Sequence, residues 1–283
     1  MRIPAPIVLL FLFISFNAVG QKGKLFIIGG GHRSEALINT LIKTAGLQPK
    51  DHIVVLPMSS EEGDSAYYYI KLQLEKACSN TIANLNFTSA TTGNTQWLDS
   101  VKSAKLIFIT GGDQSRFMKI VAGSPLYKAI HDAYKSGATV AGTSAGAAVM
   151  CRHMITGKQL RGDSVYHATF DRLWTNNIEF SEGLGLIDSV IIDQHFIVRS
   201  RYNRLLSALD AYPTFTCIGI DEATAIIVAQ QQITIAGDGQ VLVFRQPKTV
   251  AASKGELIKM KDVRLDIYTA GEGFKLPENP ANH

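Results

Sequence analysis

Cysteine is scarce in this chain: Cys78, Cys151 and Cys217 are the whole supply in 283 residues. They form neither a C-x-x-C pair nor an even set, which excludes a zinc site of that spacing and a multi-bridge disulfide scaffold. Each lies in an apolar stretch, so three buried, free thiols are expected, with one disulfide and one buried thiol as the alternative. No H-x-x-x-H occurs among the seven histidines, and neither a metal nor a cofactor is expected. Lys and Arg never gather in a block of five, and the formal charge of +4 is spread along the chain, so nucleic acid is not an expected partner. Internal repeats, low-complexity tracts and Pro/Ser-rich linkers are absent as well. What remains is 46% hydrophobic and 18% charged, enough for one full-sized core.

The single long apolar run stands at the N-terminus. MRIPAPIVLLFLFISFNAVG carries one charge, Arg2, then apolar residues 7 to 16, then the small Ala18 and Gly20. This pattern predicts a signal peptide over 1–20, cleaved near Gly20, and an exported protein, periplasmic or secreted. The run is too short for a comfortable membrane span, so stable insertion after cleavage is not expected. Residues 21–283 then read as one domain.

Short apolar runs at 24–31, 52–60, 81–87, 105–112 and 138–145 end in Gly, Ser or polar residues, and each predicts a parallel strand buried on both faces. Helical segments lie between them: one bounded by Ser34 as N-cap and Gly46 as C-cap, then 67–77, 114–121 and 126–135. Strand alternating with helix predicts an α/β fold with a doubly wound, mostly parallel sheet. Beyond 145 come an irregular stretch (156–187), a strand ending in Asp193-Gln194-His195, a helix from about 199 to 209, and strands to either side of Gly237-Asp238-Gly239, a hairpin signal. In such sheets ligands gather at the carboxyl ends of strands. The Gly29-Gly30-Gly31, Gly111-Gly112-Asp113-Gln114 and Thr143-Ser144-Ala145-Gly146 turns should therefore share one rim.

Gly142-Thr143-Ser144-Ala145-Gly146 fits G-x-S-x-G, in which small neighbours let a strained strand-to-helix turn hold a serine hydroxyl out of the sheet. Ser144 is the candidate nucleophile. The bland alternative is a tight junction whose serine only caps a helix. A serine needs a base, and His195 closes an apolar strand at the expected rim, with His32 the second choice. Glu222 closes the next apolar strand and is the candidate to orient the imidazole. The oxyanion donors should be the backbone N–H groups of Ala145 and Gly112. Arg199, Arg201 and Arg204 place three guanidiniums within six residues, a dense cationic site suited to carboxylates. The plain alternative is an exposed basic helix face.

GTSAGA at 142–147, GGDQ at 111–114, D-Q-H-F-x-x-R-x-R-x-x-R from Asp193 to Arg204, and G-I-D-E-x-T-A at 219–225 together resemble the cyanophycinase branch of the peptidase E family of serine peptidases. The resemblance implies a flavodoxin-like, class I glutamine amidotransferase-like fold, here with a C-terminal hairpin extension. It implies hydrolysis of aspartyl-linked peptides, with Ser144 as nucleophile, His195 as base and Glu222 as its partner. Gln114, Asp193, Gln194, Arg199, Arg201 and Arg204 fall on substrate-binding positions. The expected partner is a peptide, cyanophycin or another β-aspartyl chain, and a homodimer stays open. Cyanophycinases commonly follow the first strand with an acidic, Lys-containing turn, whereas this chain has Gly-Gly-Gly-His-Arg-Ser.

Three rivals share these residues. A dinucleotide site at 29–31 lacks the third fingerprint glycine, because Ser34 stands there. An α/β-hydrolase esterase runs Ser, acid, His along the chain, which would require His283. A silent homologue would bind peptide without cutting it.

Overall fold

The five apolar runs form strands β1 (Lys24–Ile28), β2 (His52–Leu56), β3 (Thr81–Asn84), β4 (Leu106–Ile109) and β5 (Thr139–Thr143). They pair in parallel in the order β1-β5-β4-β2-β3. Their side chains alternate between two cores, as the period of two requires. Leu25, Ile27, Val54, Leu56, Ile107, Ile109 and Val140 point to one, and Phe26, Ile28, Ile53, Val55, Leu106, Phe108 and Ala141 to the other. Helices α1 (Glu35–Ala45) and α2 (Gly63–Ala77) cover the second face, while α3 (Thr95–Ser103), α4 (Gln114–Val121) and α5 (Pro125–Lys135) cover the first. The doubly wound α/β architecture is therefore present. The computed structural model describes residues 23–162, 172–252 and 256–277; the expected signal segment 1–20, with Gly20, and His283 lie outside them.

Capping chemistry sets the helix ends. The Ser34 hydroxyl accepts from the Leu37 N–H at α1, and Gly46 ends that helix in the left-handed region at φ 63°, where glycine is unstrained. Asp113 accepts from the Ser115 and Arg116 N–H groups at α4. Helix α3 was not foreseen, although Asn94 caps it by accepting from the Trp97 N–H. With nine residues and only Leu98 and Val101 buried, its apolar stripe is thin.

After β5 the chain makes the single turn of α6 (Ala145–Ala148), then an antiparallel pair β6 (His153–Gln159) and β7 (Ile178–Glu182) within the stretch read as irregular. Next come β8 (Val190–Gln194), α7 (Tyr202–Ala211), β9 (Thr216–Ile220), β10 (Thr224–Ala229), β11 (Gln232–Gly237) and β12 (Val241–Arg245), followed by β13 (Thr249–Ala252), β14 (Ile258–Lys261), β15 (Arg264–Tyr268) and β16 (Gly273–Lys275). Strands β10, β11 and β16 extend the main sheet antiparallel beyond β1, and β15, β12, β9 and β8 form a second sheet. The hairpin therefore lies elsewhere than expected. Strands β10 and β11 pair directly, whereas Gly237-Asp238-Gly239 carries the chain from β11 in one sheet to β12 in the other. Gly237 has φ 107°, and a Cβ there would sit 2.2 Å from the Ala223 carbonyl oxygen, so the glycine serves a crossover between sheets.

The second sheet packs one face, through Val190, Ile192, Ile218, Ile220, Val241 and Val243, into the first core, and the other against α7 in a third cluster. This arrangement brings the carboxyl ends of β8 and β9 to the rim shared by β1 and β5. Cys78, Cys151 and Cys217 are all free; Cys78 is only partly buried, contrary to expectation.

Candidate active site

The rim is organised by the first turn. Three consecutive carbonyls at the end of β1 each accept one backbone N–H: Ile28 from Ser144 at 3.1 Å, Gly29 from His195 at 2.7 Å and Gly30 from Ala223 at 2.9 Å. Three segments far apart in sequence are thereby held side by side. The glycines are required sterically. A Cβ on Gly30 would lie 2.3 Å from the His195 Cε1, one on Gly31 2.6 Å from the Glu222 carboxylate, and one on Gly29 2.1 Å from the Asp221 carbonyl oxygen.

Within that frame the Ser144 Oγ lies 2.8 Å from the His195 Nε2, and the His195 Nδ1 lies 2.5 Å from the Glu222 Oε1. Ser144 sits at φ 54°, ψ −111°, and makes no capping bond to α6, so the serine is not there as an N-cap. His195 and Ala223 are also held at positive φ, 48° and 53°. Burial pushes the His195 pKa below the ordinary 6.5; the Glu222 hydrogen bond opposes this, and the Arg199 charge adds to the lowering. The chain order Ser144, His195, Glu222 differs from that of the esterase rival, whose base would be His283. His32, the alternative base, is exposed and lines a separate cleft.

The arginine run is arranged differently from the open cationic site expected. Arg204 grips the fully buried Asp193 carboxylate bidentately, with Nε donating to Oδ2 at 2.7 Å and Nη2 to Oδ1. Arg201 donates from Nη1 to the Gln194 carbonyl at 2.6 Å, to the Gln194 side-chain oxygen, and more distantly to Asp193 at 3.4 Å. Arg201 and Arg204 are only 5% and 6% exposed. A buried carboxylate must find its partners inside the protein, and these two guanidiniums supply them. Arg199 alone of the three faces solvent. The expectation that Asp193, Arg201 and Arg204 stand open to substrate is thus corrected to a buried network behind Gln194 and His195.

A family model, Peptidase family S51, matches residues 25–236. The chain belongs to peptidase family S51. Membership makes peptide-bond hydrolysis by a serine its class of chemistry. It is 39% identical over 183 residues to a cyanophycinase of Geminocystis herdmanii, covering 62% of this chain and 63% of that one, so the match spans under two thirds of that relative's length. It is 30% identical over 277 residues to a cyanophycinase of Trichormus variabilis, covering 93% of this chain and 89% of that one. The crystal structure of a peptidase from an acI-B1 Actinobacterium superposes with a TM-score of 0.67 at 21% identity, over 91% of this chain and 98% of the other. That likeness concerns the fold.

Other family motif residues hold this geometry without touching the hydroxyl. Asp221 accepts the Ile197 and Val198 N–H groups at 3.0 and 3.1 Å, closing the turn that follows His195. A Cβ on Gly219 would lie 2.4 Å from the Phe196 ring, so the glycine of G-I-D-E and the phenylalanine of D-Q-H-F fit one another. Neither this role of Asp221 nor the Gly30 contact was read from the sequence. Gln114 spends its amide nitrogen on β6, donating to the Ile155 and Thr156 carbonyls at 2.9 Å each. Gly112 has φ 136°, and its missing side chain makes room for Ser59, whose carbonyl oxygen would lie 2.1 Å from a Cβ. The neighbouring Gly111 faces Ser144, with Cβ–Cβ contact at 3.4 Å if a side chain were added. Among the described residues no group of three His, Cys, Asp or Glu is placed to hold a metal ion, and no helix is long and apolar enough to cross a membrane.

Two substitutions test this frame. Gly30→Ala should displace the His195 ring and lower kcat by about a hundredfold, the scale of an ångström misplacement at a reacting centre. Gly46→Ala, strained at φ 63° but with open space around its Cβ, should lower stability by about 1–2 kcal/mol and leave kcat alone. Equal activity in the two variants would show that the glycine turn does not position the base. Arg204→Ala leaves Asp193 with one distant guanidinium, and urea unfolding should register a loss of about 3–5 kcal/mol.

Proposed function

We propose that this S51 peptidase is cyanophycinase-like and hydrolyses aspartyl-linked peptides, cyanophycin or other β-Asp-containing chains, through Ser144, His195 and Glu222. The observation that carries the reading is the continuous pair of contacts from the serine hydroxyl through the imidazole to the carboxylate, 2.8 and 2.5 Å long. In the proposed reaction Ser144 Oγ attacks the scissile carbonyl while its proton passes to the His195 Nε2. The resulting oxyanion is met by the Ala145 and Gly112 N–H groups, neither of which has a hydrogen-bond partner among the described residues. Collapse of the tetrahedral species breaks the C–N bond, and the imidazolium returns its proton to the leaving amine. Water then attacks the acyl-enzyme carbonyl as His195 takes its proton, and the second tetrahedral species breaks the ester C–O bond, the imidazolium returning the proton to Ser144 Oγ and the product acid leaving.

The names of the relatives and the exposed Arg199 support an aspartyl substrate. A β-linked aspartyl peptide carries a free α-carboxylate beside the scissile bond, which a guanidinium can bind bidentately. In this reading Gln114 borders the substrate, while Gln194, as buried as the arginines, joins Asp193, Arg201 and Arg204 in holding the end of β8 that carries His195. We also propose export, with residues 1–20 removed. Intact mass of the protein from its native host should show a chain beginning near Gln21, and a full-length cytoplasmic product would refute this.

Cyanophycin and matched α- and β-linked aspartyl dipeptides decide the main reading. The β-linked compounds should be cut and the α-linked ones spared; equal rates on both would remove the β-aspartyl assignment. Ser144→Ala and His195→Ala should each lose at least about a thousandfold in kcat. The base must be neutral to accept a proton, and its pKa is lowered. The acid limb of kcat/KM should accordingly fall below pH 6.5, with activity lost as pH drops through it. Glu222→Gln removes a contribution that raises this pKa, so the residual activity should show its acid limb at still lower pH. An acid limb above 6.5 in the wild type would contradict His195 as the base.

A further inference from the structure

Arg33 is a half-buried cation with no acid against it. Its Nε donates to the Gln73 side-chain oxygen at 2.8 Å, and the Gln73 amide donates back to the Arg33 carbonyl at 3.3 Å. Both of these partners are neutral. Among the described residues no carboxylate oxygen comes within 4.0 Å of the guanidinium. The acid that borders the same space, Glu35, is turned to Lys76 at 3.6 Å. Burial lowers the Arg33 pKa, with no neighbouring anion offsetting it. A partly desolvated guanidinium fixed along one edge, with its two terminal nitrogens unengaged among the described residues, presents the planar fork that binds carboxylates.

The space it borders is a cleft of about 460 Å³ between the first turn and helices α1 and α2, lined by His32, Arg33, Glu35, Asn39, Gln73 and Lys76. This volume lies within the usual range of small-ligand sites, roughly 300–1,000 Å³. His32 directly follows Gly31, whose Cβ would touch the Glu222 carboxylate, so the cleft adjoins the acid's side of the catalytic rim. From Gly31 the contacts run through Glu222 and then His195 to the Ser144 hydroxyl. A group bound there belongs to a substrate residue removed from the scissile bond.

We propose that this cleft binds a carboxylate carried by the peptide substrate at a residue distant from the cleaved linkage, with Arg33 as the bidentate partner and His32 and Lys76 flanking it. The assignment rests on the peptidase reading of Ser144. Its consequence is a preference for extended acidic peptides over both neutral peptides and isolated dipeptides.

The test uses two β-aspartyl tetrapeptides that differ only in carrying Glu or Gln two residues from the cleaved bond. Wild-type protein should show a KM about tenfold lower for the Glu peptide at similar kcat. Arg33→Gln should erase that difference while keeping wild-type turnover of a β-aspartyl dipeptide, and Arg33→Lys, which preserves charge and fold, should keep part of it. Equal KM values for the two peptides in the wild type, or a preference unchanged in Arg33→Gln, would overturn the proposal. Should neither peptide be cut, the peptidase reading fails separately, and calorimetric titration of the same two peptides still decides the cleft. Tighter binding of the Glu peptide that is lost in Arg33→Gln supports it, and equal binding overturns it.

Discussion

Three successive peptide carbonyls at the end of β1 hold the site together. Residues 144, 195 and 222 come from the ends of β5 and β8 and the turn after β9, which belong to two different sheets. Side-chain contacts alone would leave their spacing to long, rotatable groups. Backbone bonds from Ser144, His195 and Ala223 to Ile28, Gly29 and Gly30 fix the main chains themselves, so the side chains need only adopt the correct rotamers. Because the carbonyls are consecutive, one short turn spaces all three partners, and any of them that slips breaks its bond to that turn.

That rigidity supports strain. Ser144, His195 and Ala223 all carry side chains at positive φ, a conformation that costs on the order of 1–3 kcal/mol per residue and persists only where its surroundings over-determine it. The over-determination has two sources. One is the set of carbonyl bonds from the first turn. The other is the core beneath, where every residue of β5, β8 and β9 is buried. The small residues of the elbow follow from the same crowding: a Cβ on Gly142 would lie 2.2 Å from the Gly146 carbonyl oxygen, and one on Gly146 2.3 Å from that of Ile109. The glycines of G-x-S-x-G thus keep β4, β5 and α6 in contact, and Ser144 stays partly open to solvent between buried neighbours.

Much of this was legible because it is local. Strands buried on both faces write themselves as unbroken apolar runs, Ser34 and Gly46 bound α1 by their own chemistry, and the small residues around Ser144 mark a strand-to-helix turn too tight for larger side chains. What was illegible is pairing across the fold. The sequence of Asp193 and Arg204 shows an acid and a base eleven positions apart; only the turn at 196–200 and the start of α7 bring the guanidinium back onto the carboxylate. Gly237-Asp238-Gly239 looks the same locally whether the chain reverses within one sheet or crosses to another. Helix α3 has a sound cap in Asn94 but too narrow an apolar stripe to stand out from the surrounding Thr, Ser and Asn.

The buried Asp193 pairs also bear on the electrostatics of the base. An unpaired carboxylate two residues from His195 would favour the imidazolium. With Arg204 and Arg201 gripping Asp193, that charge is compensated, and the groups acting on His195 are burial, Glu222, Arg199 and Arg201. Burial dominates and favours the neutral imidazole, the form that the proposed mechanism needs if His195 is to take the serine proton. In the proposed reaction the same burial and cations would disfavour the imidazolium formed when the proton moves, which leaves Glu222, in direct contact with Nδ1 and a third exposed, as the group to stabilise it. A base kept neutral at rest by its surroundings and supported when charged by one carboxylate gains more from that carboxylate in the transition state than in the resting enzyme, which is the condition for it to lower the barrier.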